Sequence, residues 1–251
     1  LLVSLEPVVD SQYVRLTICY QKNNKSKVLY ECLLQKHQAV AEIGIPDYEY
    51  LKLSFSKNCT LNIVNYTGDK PLAIKSALSV NVQNIATKRP VFIESQKAIL
   101  FKQSFSTPGI FSIKAGKILL DKNVIVKSLL CLQAEAQYIN AINGCLSSGL
   151  NLKITAHEKI DYEAHSFIAC EFVHLVVPRA TDIKLSNNIK GNLIYEFSSA
   201  NPGDIVLLEN IKFNGKLYLI APNSIVQIGD QNAYTDLSFN NDVFVSAKQL
   251  L

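Results

Sequence analysis

In the stretch "GLNLKITA", residues 149–156, Leu150, Leu152 and Ile154 alternate with Asn151, Lys153 and Thr155. A period of two sends alternate side chains to opposite faces of an extended strand, so such a segment buries one face and wets the other. The same alternation runs through "YVRLTICY" (13–20), "YLKLSF" (50–55) and "TLNIVNY" (60–66). Turn residues punctuate these runs: "KNNKSK" at 22–27, "TGDKP" at 67–71, "STPG" at 106–109, "NPGD" at 201–204 and "FNGK" at 213–216. Helical signals are confined to "CLQAEAQYINAI" (131–142) and "NDVFVSAKQLL" (241–251), the second with Asp242 as its cap. The expectation is an all-β chain with few short helices.

Three segments share a strand–corner–strand pattern: "GKILLDKNVIVKS" (116–128), "EKIDYEAHSFIAC" (158–170) and "GKLYLIAPNSIVQ" (215–227). "RPVFIESQKAILF" (89–101) is a looser fourth copy. The pattern equates Ile118 with Ile160 and Leu217, and Leu120 with Tyr162 and Leu219, and these six are expected in the core. Because the copies are unevenly spaced, the expectation is a unit reused inside a double-stranded β-helix or β-sandwich and not a solenoid. One large domain over 1–251 follows, with a subdivision near 70–90 and a loop at 178–190.

Apolar residues make up 48% and charged residues 18% of the 251, a composition that argues for a folded core. The net charge is +4 and its basic part is mostly lysine, with arginine only at 15, 89 and 179. Few arginines argue against sequence-specific nucleic-acid recognition, while a mildly lysine-rich surface suits an anionic lipid. The six cysteines form no C-x-x-C, which excludes zinc-ribbon and thioredoxin-like readings and points to a reducing compartment. The chain begins on leucine and holds no methionine, so residues missing from it, and a leader or anchor ahead of it, are expected.

His157, Glu158, His165, Glu171 and His174 lie within eighteen residues. These types can bind a metal in a jelly-roll site, and His165, Glu171 and His174 are the candidate ligands of a cupin-like metal-dependent enzyme using the 157–174 region. The H-x-H pair that places two imidazoles on one strand face is missing, so the leading expectation is no metal and no cofactor. Asp161 and Glu163 read as a solvated strand face, and no nucleophile motif or phosphate-cradling loop is present. The residues therefore favour a non-enzyme.

Two longer stretches, "INAINGCLSSGLNLKITAHEKIDYEAHSFIACE" (139–171) and "GNLIYEFSSANPGDIVLLEN" (191–210), resemble motifs of the altered-inheritance-of-mitochondria (mitochondrial biogenesis) family. Leu152 and Ile154 match the family's strand, Glu158 its turn acid, Ile168 and Ala169 its closing pair, and Phe197, Pro202 and Gly203 its strand–loop near the C-terminus. His157 stands where the family has a turn glycine. The resemblance covers mainly 140–210. It implies a non-catalytic scaffold or assembly protein of the mitochondrial inner membrane, supporting cristae organisation and respiratory-complex integrity, with inner-membrane proteins as partners.

Overall fold

A computed structural model describes residues 1–23, 25–44, 50–163, 165–178, 191–197, 205–208, 212–228 and 238–251. Every regular element in it is a strand. The neighbours along most of the chain are parallel and about one turn of chain apart. Leu72 pairs with Val91, Val91 with Phe111, Phe111 with Leu132, Leu132 with Leu152, Leu152 with Val173 and Val173 with Leu193. Leu193 then pairs with Leu217 and Leu217 with Val243, across longer insertions. Each residue in this file except Val243 is buried. So is the file two places on, through Ile74, Ile93, Ile113, Ala134, Ile154, Leu175, Tyr195 and Leu219.

The coil has three faces. The first is formed by the opening halves of strands such as Val91–Phe101, Phe111–Leu120, Cys131–Asn140 and Asn151–Asp161. Irregularities at Ala115/Lys117 and Ala136/Tyr138 bend these strands onto a second face, where Leu61, Val80, Ile99, Ile118, Ile139 and Ile160 stack. A separate four-stranded parallel sheet, Phe105–Thr107, Ile125–Ser128, Cys145–Ser148 and Phe167–Ala169, is the third. The chain is a β-solenoid. Its N-terminal end is closed by antiparallel strands: Tyr13–Lys22 lies between Leu2–Pro7 and Lys25–Gln35, and Leu2–Pro7 joins the first coil through Leu72–Ser76.

The double-stranded β-helix or sandwich expectation is thereby corrected, and the reason is physical. Alternation normally marks an antiparallel sheet with one wet face, because parallel sheets are usually covered on both sides. In a solenoid the sheets are parallel and only the inner side is covered, so alternation and parallel pairing coexist. The irregular repeat has the same source. Ile118 and Ile160 are two coils apart, with Ile139 between them, so one coil was passed over. Leu217 sits on the first face, in the file of Phe111 and Leu152, and is not equivalent to Ile118. Ile118, Leu120, Tyr162, Leu217 and Leu219 are nevertheless buried, and Ile160 packs half-buried against the same core.

Both helix expectations fail too. Cys131–Asn140 is a strand whose Leu132, Ala134 and Ala136 alternate inward; alanine, a strong helix former, fits here because the interior is narrow. Val243–Leu250 is a strand that turns Val245 and Ala247 toward the core. Around 70–90, Leu72–Ser76 and Ser79–Val82 both pair with Val91–Phe101. Of the expected loop at 178–190, residues 179–190 lie outside the described residues, as do Pro202 and Gly203.

The corner that leaves the third face is the tightest part of the coil. Thr87, Thr107, Ser128 and Ser148 are buried there, one per coil. Their hydroxyls donate to the carbonyls of Gly68 (2.6 Å), Thr87 (3.0 Å), Gly109 (2.7 Å) and Leu130 (2.6 Å) of the preceding coil. Short hydroxyl side chains are suited to this position: they turn inward without filling it and add a second bond between coils, the Thr87 and Leu130 carbonyls also accepting the N–H groups of Gly109 and Leu150.

Candidate functional site

Beyond that corner the chain re-enters the first face, and there the outer surface is apolar. Ile110, Leu129, Leu130, Leu150 and Phe172 are 36–46% exposed. They are five of the sixteen large hydrophobic side chains exposed among the described residues, and all five fall on one edge of the coil. Backbone bonds stack Leu150 directly on Leu130 and anchor the neighbouring turns to the coils beside them. The Leu150 N–H donates to Leu130 O (2.9 Å), that of Glu171 to Leu150 O (3.1 Å), and that of Val91 to Ile110 O (2.9 Å). On the next coil Glu171 follows Leu150 in its file, and Phe172 stands one place along, in register with Asn151. Coils rise by about 4.8 Å, so the row runs about 14 Å along the solenoid. Single exposed apolar side chains are ordinary, whereas several gathered at one corner mark a contact surface.

Next to this edge the third face carries a shallow groove of ≈ 310 Å³. Its floor is Cys145 and Ser147, small outward side chains flanked by Ile125 on one coil and Ile168 on the next. Asn123, whose φ of 63° and N–H bond to Asn143 O (2.7 Å) shape the turn, closes one end with His165. Burial pushes the Cys145 thiol up to about 11, so at neutral pH it is protonated and a poor nucleophile.

On the middle coils the outer side of the first face is polar. Lys114 Nζ and His157 Nε2 approach Glu135 Oε1 at 2.9 and 3.2 Å from the neighbouring coils. The hydrogen bond from Lys114 is the main reason the Glu135 carboxyl is held below the usual carboxylate range; partial burial opposes it and His157 adds to it. His174 Nε2 meets Glu196 Oε2 at 2.9 Å in the same manner. Further along, Tyr138 donates to Asp161 Oδ2 (2.7 Å), which also meets Lys159 Nζ at 2.9 Å.

The candidate metal ligands are thus distributed. His174 lies on the first face in Phe172–Val177, His165 at the mouth of the groove on the third face, and Glu171 on the apolar edge between them. Among the described residues no three His, Cys, Asp or Glu side chains are grouped to hold a metal ion. Glu158 stands with His157 in the irregularity between the first and second faces, and Asp161 is engaged with Lys159 and Tyr138 rather than with Glu163. The apolar edge escaped sequence reasoning because its members lie in turns some twenty residues apart. A signal exists in retrospect: each follows a buried small residue, in "TPGI", "SLL", "SGL" and "ACEF".

Compared with protein-family models, with curated proteins and with solved structures, the chain matches none.

Proposed function

We propose that this β-solenoid is a non-catalytic scaffold or assembly module that docks through its apolar edge. The observation that carries the reading is the clustering of Ile110, Leu129, Leu130, Leu150 and Phe172 at one corner of successive coils. A stack of coils is a stiff, extended support, and its repeated corner lines up side chains at a fixed spacing. The polar groups of the first face support the same reading, since Lys114, Glu135, His157, His174 and Glu196 are engaged with one another across coils.

Placement at the mitochondrial inner membrane, with its proteins as partners, belongs to this proposal and is supported by the family resemblance alone. The matched Leu152, Ile154 and Ala169 are buried residues of the coil. In fractionated cells the full chain is expected with mitochondrial inner membranes. Leu130→Glu combined with Leu150→Glu is expected to shift most of it to the soluble fraction, with unchanged thermal stability of the purified protein. Retention of the variant contradicts docking through the edge, and a wild-type chain found outside mitochondria contradicts the placement.

A further inference from the structure

We infer that the occupant of the apolar edge is an anionic lipid surface, which the protein meets side-on. This rests on the reading that the edge is a docking face, and adds what it docks to. Three features point to lipid. The edge is a corner where two flat faces meet, so its leucines project outward from turns; a convex ridge can sink into the headgroup layer, where no matching groove is needed. The row is mixed leucine, isoleucine and phenylalanine, the side chains that gain most from the acyl boundary.

The third feature is charge. Arg89, Lys127 and Lys153 are exposed beside the ridge. Arg89 belongs to the coil stacked under Gly109, and Lys127 and Lys153 stand on the two faces flanking Leu129, Leu130 and Leu150. The acidic groups nearby are Glu171, on the ridge beside Phe172, and Asp69, whose backbone carbonyl accepts from Arg89 Nε at 2.8 Å. The balance at the centre of the ridge is basic. Apolar side chains flanked by lysine and arginine are the combination that holds a protein at an anionic interface, the first by insertion and the second by attraction to the leaflet.

Flotation of the purified full chain with phosphatidylcholine vesicles, with and without phosphatidylserine, tests this. The wild type is expected to float with the phosphatidylserine vesicles and to be released by salt. Leu130→Glu with Leu150→Glu should lower the vesicle-bound to free ratio by on the order of tenfold or more. Lys127→Gln with Lys153→Gln should lower it roughly fivefold per lysine at low salt. Leu33→Glu, an exposed leucine on the N-terminal hairpin, should leave it unchanged. Absence of flotation, or equal flotation of the ridge variant, overturns the lipid assignment. If that variant still leaves the particulate fraction in cells, the docking reading survives and lipid alone is ruled out. Self-association of the wild type that the ridge variant abolishes, without flotation, assigns the edge to a second copy and also overturns it.

Discussion

Gly149→Ala is expected to destabilise the protein by about 3 kcal/mol or more, an effect at the upper end of overpacking because backbone, not a movable side chain, stands in the way. A Cβ at position 149 would lie 2.1 Å from the carbonyl oxygen of Leu129. That carbonyl belongs to the coil beneath, in the corner where Gly149 N donates to Ser128 O (2.8 Å) and Ser148 Oγ to Leu130 O (2.6 Å). To admit one methyl group the two coils must separate, and these bonds lengthen together. The same contact recurs at Gly109 over Arg89, Gly191 over Glu171 and Gly215 over Gly191, so the demand is a property of the corner. Gly44, with nothing within 4 Å of a built Cβ, is the control, and Gly44→Ala should stay within about 0.5 kcal/mol of wild type. Urea unfolding of the two variants checks this; equal midpoints would contradict the stacked corner.

Phe111→Ala is expected to cost about 3–5 kcal/mol, the range for emptying a fully packed aromatic site. Phe111 is fully buried and stands in register between Val91 and Leu132. Its ring meets Phe105 at 5.7 Å between centroids and 70° between planes, and Phe101 at 6.2 Å and 81°. These edge-to-face contacts join all three faces of the coil, since Phe101 closes a second-face strand and Phe105 opens the third face. Alanine leaves a void that strands on three sides must collapse to fill, which stiff neighbouring coils resist. Phe111→Leu should recover most of the loss. Phe92→Ala, next in the same sheet but half-exposed, should change stability by less than about 0.5 kcal/mol. The comparison is made by thermal or denaturant unfolding, and a Phe111→Ala chain as stable as Phe92→Ala would contradict the core assignment.

The strands were legible in the chain because period-2 alternation is a local signal: Leu152 and Ile154 alternate inward in the structure as they do in the sequence, whereas Leu150, read on the same face, precedes the strand and is exposed. What alternation cannot convey is the partner of each strand. Parallel in-register stacking over twenty-residue steps leaves the alternation unchanged, and the coil at Tyr138–Ile139 lacks the Gly-Lys or Glu-Lys start shared by the copies at 116 and 158. The period was therefore seen doubled. Insertions after Leu193 and Leu217 lengthen the later coils and hide it further. Alanine at 134 and 136 carried a helical propensity that the tertiary stack overrides. The histidines were legible as residues but not as neighbours: His157 and His174 each reach a carboxylate about twenty residues away in sequence. The apolar edge was the least visible, since it is assembled one or two residues at a time from turns, where apolar side chains have no periodic pattern to announce them.

The register that builds this edge is open to a direct chemical measurement. Cys131 pairs side by side with Asn151 on adjacent coils, and both are at least partly exposed. In-register neighbours place Cα atoms about 5 Å apart, within the span of a disulfide. In a chain carrying Cys170→Ser to remove a nearby exposed thiol, Asn151→Cys is expected to form a disulfide with Cys131 under mild oxidation, identified by mass spectrometry of the linked peptides. Asn192→Cys, three coils from Cys131 and so about 14 Å away, should not. A 131–151 disulfide with no 131–192 counterpart is the result the stacked coil predicts; its absence, or equal trapping at 192, would contradict the solenoid register and with it the apolar edge.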